Sequence, residues 1–460
     1  MKSNVCDVVM LKGMVMTMKG MLRIVAGLVA IGLFAAAAHA DEVTDWNQTM
    51  LRASLVAGST PLAMYRISAI VQASVFDAVN GIEQRYAPIH VPATGPAHAS
   101  RRAAVVQAAY VALVKLYPAQ VAALDARRVI SLASIAADES GGAIASGIAW
   151  GENVANLIWA WRLTDGIANT TPSWPGDTTI GQWRPTPNAP YPGTSANGAG
   201  YPQVVFMTPW VIVAPSQFRP GPPPPLMSAL YARDYNETKS MGSLSSSTRT
   251  SNQTTGAFFW NASTASYLWN QLALSLIEAR DKEDGDRDDR GPNHEADHHR
   301  HRSSLLHNAR ILGTLDVAMA DAAIGCWDAK YAYNYWRPIT AIRETADDGN
   351  AATAPDPAWT PLFATPPFPE YPSGHSCVSG AAAAILAHEF GEKTPFRMES
   401  DVLLGVTRSF RSFSAALDDV KDARVFAGIH FRTATEVGQA LGAMIGRAVL
   451  ENAFNRVREN

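Results

Sequence analysis

The chain has 460 residues and a formal net charge of −3, with 47% apolar and 17% charged residues. This length allows one or two domains with a large core, and the composition is ordinary for a globular protein. The near-neutral charge, without a basic arm or zinc-finger spacing, argues against nucleic acid as a partner.

The first forty residues have the features of a secretory signal. Two basic residues precede the apolar run 24–38, and Ala38-His39-Ala40 offers a small-x-small cleavage site. The run is short for a membrane span, so removal of residues 1–40 is favoured over a retained anchor. The sequence predicts an exported protein, periplasmic or extracellular, with no membrane span after the signal.

Residues 41–225 form a predicted N-terminal helical region. Apolar residues recur at helical spacing over 64–79 and 103–114, and 147–161 forms a further helical segment. From about 165 to 225 the composition shifts to Pro, Gly, Thr and Asn. A segment of this length is either functional or a linker, and both interpretations remain open.

Residues 226–460 form a predicted helical catalytic region. Within it, 281–302 is charge-dense with almost no apolar residue, which predicts a mobile charged insert at the surface. Its histidines lack the spacing of a zinc site, so metal binding there is the minor interpretation. A long helix is predicted from Ser303 to Ile324. The last helix carries glycine at every fourth position, 438, 442 and 446, a face suited to close helix packing.

Three segments of this region together supply what a tetrahedral oxyanion needs to be held from every side. In the first, Lys330 and Arg337 are two helical turns apart, which predicts one face of a helix. Pro338 would place Arg337 near the end of that helix. On its own, such a pair more often belongs to a solvated helix face.

The second segment is Pro372-Ser373-Gly374-His375, which leads into a run of small residues. A helix beginning there would direct unpaired N–H groups and the positive end of its dipole at an anion. The third segment, from Arg424 to His430, contains Gly428 in a predicted turn. After it, Thr433 to Glu436 predicts a capping box for the last helix. Taken alone, each of these two segments is more simply explained as a turn or as a buried core histidine. The occurrence of all three segments in this order favours an oxyanion site.

In this order the segments resemble the three-part signature shared by vanadium-dependent haloperoxidases and type 2 phosphatidic acid phosphatases. Trp327 and Phe368 resemble pocket residues of the fungal-type chloroperoxidases, so the haloperoxidase-like branch fits better. The resemblance covers most of the chain after residue 40. It implies an all-α fold of two helical bundles around one oxyanion-binding site, and a wrapping segment over 165–225 that borders the pocket.

The resemblance also implies roles. Vanadate, or phosphate in the same site, would be held by Lys330, Arg337, Ser373, Gly374, Arg424 and His430. His430 would bind the vanadium, His375 would act as general acid–base, and Lys330 would polarise bound peroxide. Hydrogen peroxide and a halide would then be the substrates.

Two other functions stay open. One is a soluble acid phosphatase of the same superfamily, acting on a phosphomonoester through a phosphohistidine at His430. The other is a non-catalytic binder of an oxyanion or a metal. The oligomeric state is not predicted.

The chain departs from the signature at two positions, and from the fungal-type enzymes at a third. Ala423 stands where the signature has serine, and Ala434 stands where it has its final aspartate. Ser263 replaces an aspartate that in the fungal-type enzymes supports the second arginine. Glu436 lies too close to the predicted capping box to be a substitute, so the groups that orient His430 and Arg424 are expected to be built differently here.

Two cysteines remain after residue 40, and both flank the site. Cys326 precedes Lys330 by four residues, and Cys377 follows His375 by two. Two small buried thiols are the favoured interpretation, although a disulfide is allowed in an exported protein.

Overall fold

Helices account for almost all regular structure in residues 41–169, 173–186, 199–288, 294–344, 348–400 and 402–457, the part of the chain that this computed structural model describes. The first helices are α1 (Glu42–Ala57), α2 (Pro61–Glu83), α3 (Arg101–Leu116), α4 (Val121–Ile135) and α5 (Gly141–Leu163). Side chains that accept a backbone N–H cap three of them: Asp41 on α1, Ser100 on α3 and Ser140 on α5.

The remaining elements complete an all-α fold. They are α6 (Ala229–Met241), α7 (Ser251–Ala262), α8 (Ala265–Asp288), α9 (His294–Tyr333), α10 (Pro338–Glu344), α11 (Gly374–Phe390), β1 (Phe396–Glu399), β2 (Thr407–Phe410), α12 (Phe413–Phe426) and α13 (Arg432–Asn452). The antiparallel pair β1–β2, with Phe396 opposite Phe410, is the one sheet among the described residues. The predicted all-α class is confirmed.

Helix α2 lies at the centre of the N-terminal half. It packs against α3, α5 and α9, and nearly all of its side chains are buried. It is long and apolar enough to cross a membrane, as is the bent pair Arg101–Leu116 and Pro118–Ile135 if taken as one span. Because 83% of the apolar window of α2 is buried in the protein, its composition is explained by its place in the core.

The predictions for three regions of the chain have different outcomes. The signal predicted over 1–40 lies outside the described residues. The insert predicted as a loop over 281–302 has helical backbone up to Asp288 and again from His294, and 289–293 lies outside the described residues. The insert contains Glu, Lys and Arg, which are good helix formers. The two helices therefore continue into it despite its high density of charge. The boundary at 225 stays a prediction.

A seam of glycines joins α11 to α13. A Cβ added at Gly442 would lie 1.8 Å from the carbonyl oxygen of Cys377, and one at Gly438 would lie 2.7 Å from that of Ser373. On the facing helix, a Cβ at Gly380 would lie 2.3 Å from the carbonyl oxygen of Gln439. The two backbones are therefore in direct contact, and the close packing predicted for the last helix is confirmed.

We expect Gly442→Ala to destabilise the protein by about 1–3 kcal/mol, because the added methyl group must push two helix backbones apart. Urea unfolding measures the change. Gly142→Ala is the matched control, since a Cβ at Gly142 meets nothing within 4 Å. Equal unfolding free energies for the two variants would contradict the close contact.

Asp316 is a buried carboxyl group with incomplete hydrogen bonding. It is 0% exposed, and its Oδ1 accepts from Asn270 Nδ2 at 2.8 Å. Its Oδ2 meets no donor in full hydrogen-bond geometry among the described residues, although the Ser68 hydroxyl acts with Asn270 to lower its pKa. Burial raises the pKa of Asp316 to about 7, because the ionised form loses its hydration.

This shift makes stability depend on pH. The folded protein binds the Asp316 proton more tightly than the unfolded chain, so the stabilisation is complete below pH 3.8 and is lost as pH rises through about 7. We expect the unfolding free energy of Asp316→Asn, relative to wild type, to rise by about 2 kcal/mol between pH 5 and pH 7. Urea unfolding of both proteins at each pH measures it. A constant difference would show that Asp316 keeps one protonation state throughout.

Candidate functional site

Lys330 lies in the last turn of α9 and is fully buried. Its ammonium group donates to three carbonyl oxygens of one Pro-rich loop: those of Pro369 and Glu370, each at 3.0 Å, and that of Pro372. Burial lowers the pKa of Lys330 well below its usual value, and the charge of Arg337 lowers it further. The lysine therefore fastens the loop that leads into Ser373 and adds positive charge beneath it.

The prediction that Lys330 and Arg337 share one helix face is wrong. Helix α9 ends at Tyr333, because Asn334 adopts a left-handed backbone with φ of 47°, which asparagine tolerates better than most residues. Arg337 lies beyond that break, directly before Pro338, which is the first residue of α10. Proline is well suited to the first position of a helix.

A distant segment holds the break in place. Trp174 Nε1 donates to Asn334 Oδ1 at 2.9 Å, and the backbone N–H of Trp183 donates to the Asn334 carbonyl at 2.7 Å. The N–H of Trp336 donates to the carbonyl of Gly181 at 3.0 Å. The described parts of 165–225 thus wrap around the turn that carries Arg337, which favours the wrapping segment over a linker.

Arg337 is buried against the other two segments. Its Nε donates to the Phe368 carbonyl at 2.8 Å, and its Nη1 lies 2.9 Å from the Ile429 carbonyl and 3.2 Å from His430 Nε2. Its Nη2 is buried, and no partner for it is found in the described residues. Burial lowers the pKa of Arg337 to about 9, an effect that Glu370 opposes. The guanidinium remains charged at neutral pH.

Helix α11 begins at Gly374, as predicted, with Ser373 as its N-cap residue. The Ser373 side chain makes no capping bond but accepts from Ser376 Oγ at 3.1 Å. A Cβ at Gly374 would lie 3.1 Å from the ring of Trp327. Glycine here lets the first turn, with its free N–H groups, lie directly beside the aromatic wall.

His375 faces the site with one nitrogen. It hydrogen-bonds the backbone of Trp260, while its Nε2 is buried and has no partner among the described residues. Burial lowers its pKa well below the usual value, and the charges of Arg424 and Lys330 lower it further. The ring is neutral at neutral pH and presents Nε2 for proton transfer.

The third segment brings in Arg424 and His430. Arg424 is buried in the last turn of α12, and its Nη1 donates to Asn261 Oδ1 at 3.4 Å. A neutral amide near the end of α7 thus contacts the arginine that an aspartate supports in the fungal-type enzymes. The predicted turn at Gly428 is confirmed, with φ of 75° and space for no Cβ.

Two aromatic rings form a wall beside the cations. The centroids of Trp327 and Phe368 are 5.0 Å apart. Lys330 Nζ lies 5.6 Å from the Trp327 centroid and 5.3 Å from that of Phe368, and the Arg337 guanidinium lies 5.0 Å from Phe368. Ring faces attract cations, so the wall fixes the charges and keeps water away from them.

Glu370 is a residue of the site that the sequence did not reveal. It is fully buried, and its Oε1 lies 2.8 Å from His430 Nδ1 and accepts the backbone N–H of Phe431 at 2.9 Å. Burial raises the pKa of Glu370 to about 7 against the opposing charge of Arg337. The one available signal was an acidic residue between two prolines of the motif loop, five positions before His375.

The capping box predicted for 433–436 is wrong. Helix α13 begins at Arg432, its N-cap residue Phe431 makes no side-chain bond, and Glu436 is exposed. Instead, the backbone N–H of Thr433 donates to Asp234 Oδ2 on α6 at 2.8 Å. A carboxylate from a distant helix therefore supplies the cap.

Cys326 and Cys377 form a disulfide with Cα atoms 6.3 Å apart, so the favoured interpretation of two free thiols is wrong. The bridge joins α9 one turn before Lys330 to α11 one turn after Gly374. It ties together two of the three site segments.

Three comparisons relate this chain to known proteins. The family model described as the VCPO second helical-bundle domain matches residues 310–459. Vanadium chloroperoxidase of Curvularia inaequalis is 40% identical over 83 residues, which is 16% of this chain and 13% of that relative. A bacterial vanadium-dependent iodoperoxidase structure has 26% identity and a TM-score of 0.73 over 91% of this chain and 98% of its own. Residues 310–459 belong to this chloroperoxidase domain family, and the chain has the fold of the vanadium-dependent haloperoxidases.

A second bacterial structure, a holo-type vanadium-dependent chloroperoxidase, has 16% identity and a TM-score of 0.64 over 85% of this chain and 91% of its own. That likeness shows the fold, and the helical-bundle architecture expected of a haloperoxidase-like enzyme is confirmed. The curated relative is matched over only a small part of its length, so its activity is not transferred here as established.

Seven of the nine sequence-predicted site residues lie in the three segments, and the other two, Trp327 and Phe368, lie just before the first and the second. Lys330, Arg337 and Arg424 supply buried positive charge, and Trp327 and Phe368 supply the wall. Arg337 Nη2 is a buried donor without a partner among the described residues, as the binding of a tetrahedral oxyanion such as vanadate requires. The neutral His375 presents Nε2 as a proton acceptor.

Proposed function

We propose that this protein is a vanadium-dependent haloperoxidase, which oxidises a halide with hydrogen peroxide at vanadate held by His430. The observation that carries the proposal is the orientation of His430. Its Nε2 lies among buried cations, 3.2 Å from Arg337 Nη1. Its Nδ1 is hydrogen-bonded to Glu370 Oε1 at 2.8 Å. An imidazole held in this way presents one lone pair to an electrophilic centre.

The residues of the site would have different roles in this reaction. Arg337, Arg424, Ser373 and the N–H of Gly374 would hold the vanadate oxygens, and Lys330 would add charge from beneath the loop. Bound vanadate would supply the Lewis-acid centre at which peroxide becomes an oxidant for halide. His375 Nε2, neutral and unpartnered, accepts a proton from the incoming peroxide and returns it to the product. The wall of Trp327 and Phe368 excludes water from the reacting atoms.

A phosphatase reaction is the second candidate, because the same donors fit phosphate as well as vanadate. His430 Nε2 would attack phosphorus, the cations would spread the developing charge, and His375 would protonate the leaving alcohol. A non-catalytic oxyanion binder remains the third.

Assays of the metal-free protein separate these functions. Oxidation of iodide, bromide and chloride by hydrogen peroxide is measured with and without added orthovanadate, together with hydrolysis of a phosphomonoester. We expect halide oxidation that requires vanadate. Hydrolysis inhibited by vanadate, without halide oxidation, would establish the phosphatase. Tight vanadate binding without turnover in either assay would establish the binder.

Export is part of the proposal. The support is the order of basic, apolar and small residues in 1–40. N-terminal sequencing of the mature protein is expected to begin at Asp41, and an intact first segment on the purified protein would contradict export by cleavage.

A further inference from the structure

The hydrogen bonds of His430 determine which of its nitrogens carries the proton. Arg337 Nη1 lies 3.2 Å from His430 Nε2, and a guanidinium can only donate. Nε2 must therefore be the acceptor, and the ring proton is on Nδ1. The acceptor for that proton is Glu370 Oε1 at 2.8 Å.

Glu370 is itself held firmly. Its Oε1 also accepts the backbone N–H of Phe431 at 2.9 Å, next to the histidine. Its own carbonyl and those of Pro369 and Pro372 accept from Lys330 Nζ. Both the side chain and the backbone of Glu370 are therefore fixed relative to His430.

Glu370 also shares a cavity with the position where the signature has its aspartate. Ala434 and Glu370 line one small cavity, next to Phe431 and Thr433. The second carboxylate of that cavity, Asp234, accepts the backbone N–H of Thr433. Ala434 is 1% exposed, and its side chain carries no polar group. The described residues offer no hydrogen-bond partner to Glu370 Oε2. A carboxylate thus reaches this place from the motif loop, while α13 contributes only a methyl group.

We propose that Glu370 is a positioning residue that holds His430 as the Nδ1–H tautomer with its Nε2 lone pair directed into the oxyanion site. It does so in place of the carboxylate that Ala434 lacks. The inference deepens the proposed function and rests on it only in taking vanadate as the ligand. Neither readout below requires turnover, so a protein without peroxidase activity tests it equally well.

Moving the carboxylate from one wall of the cavity to the other tests the proposal. Orthovanadate is titrated into the metal-free wild type, Glu370→Ala, Glu370→Gln and the double variant Glu370→Ala/Ala434→Asp. We expect Glu370→Ala to bind about tenfold to a hundredfold more weakly, the usual effect of removing the partner of a metal-binding histidine. The double variant should recover about tenfold of that loss. Ala434→Asp alone should gain nothing, since two carboxylates would then compete for one proton donor.

A second readout follows the tautomer directly. ¹⁵N NMR of histidine-labelled protein is expected to show His430 as Nδ1–H in the wild type and in Glu370→Gln, whose amide oxygen can accept the same bond. In Glu370→Ala the Nε2–H tautomer should gain population, because the contact of Nε2 with Arg337 would then have to hold the Nδ1–H form without Glu370. Glu436→Ala is the matched control, because this exposed carboxylate is only two residues from Ala434, and it should leave both readouts unchanged.

The outcomes decide the proposal in both directions. Recovery of vanadate affinity by the relocated carboxylate supports it. Wild-type affinity and an unchanged tautomer in Glu370→Ala would overturn it. Loss of affinity in Glu370→Ala that Ala434→Asp does not restore would also overturn it, because it would assign Glu370 to holding the loop. If Glu370→Ala does not fold, Glu370→Gln decides, since a mixed tautomer in that variant contradicts the proposal.

Discussion

His430→Ala is expected to abolish tight vanadate binding and to lower halide oxidation by roughly a thousandfold or more, the scale seen when a covalent partner is removed from an enzyme. The imidazole nitrogen 3.2 Å from Arg337 is the one proposed to bond the metal, so its loss removes that bond. Orthovanadate titration of the metal-free variant and a halide oxidation assay at saturating vanadate measure the two effects.

His388→Ala is the control for this prediction. His388 is exposed near the end of α11 and should leave binding and turnover at wild-type levels. If phosphomonoester hydrolysis is the activity found, the same substitution should prevent formation of the phosphohistidine. Full activity of His430→Ala in both assays would remove this residue from the mechanism.

Removing the disulfide is expected to cost about 4 kcal/mol of unfolding free energy. Cys326 and Cys377 are 51 positions apart, and closing a loop of that length restricts the unfolded chain by about this amount. Urea unfolding of Cys326→Ala/Cys377→Ala beside the oxidised wild type measures the difference. Both residues are fully buried, so the loss of two sulfur atoms from the core adds to the cost.

Wild type unfolded in the presence of a thiol reductant should show most of the same loss, because the unfolded chain then loses its cross-link. The cysteines lie beside Lys330 and Gly374, so vanadate affinity of the double variant should also fall. A double variant within about 1 kcal/mol of the oxidised wild type would show that packing between α9 and α11, and not the bridge, holds these helices together.

Much of the site could be predicted because its residues act through local geometry. The helix start at Gly374 follows from the small residues after it, and the turn at Gly428 from a glycine between two functional residues. The seam of α11 and α13 follows from a four-residue repeat of glycine, which is a property of one helix. In each case the pattern lies within a few residues of the feature it predicts.

The missed features depend on contacts between distant parts of the chain. Asn334 ends α9 early because Trp174, 160 positions away, holds its side chain. The capping box failed because Asp234, 199 positions from Thr433, supplies the acceptor. Glu370 meets His430 across 60 positions. Periodicity and spacing along the chain cannot predict such long-range contacts, because these contacts form only when the helices pack together.

The glycine seam determines where this enzyme can tolerate change. His375 stands at the start of α11 and His430 two residues before α13, so the spacing of these two histidine rings is set where the two helix backbones are in contact. Side chains in a core can change rotamer when a neighbour is replaced, but two backbones in contact cannot. The distance between these helices is therefore hard to change. A mutational library on the outward faces of these helices should therefore leave the ring spacing intact. Substitutions meant to alter the site are better placed at Trp327 and Phe368, whose side chains form the wall beside the cations.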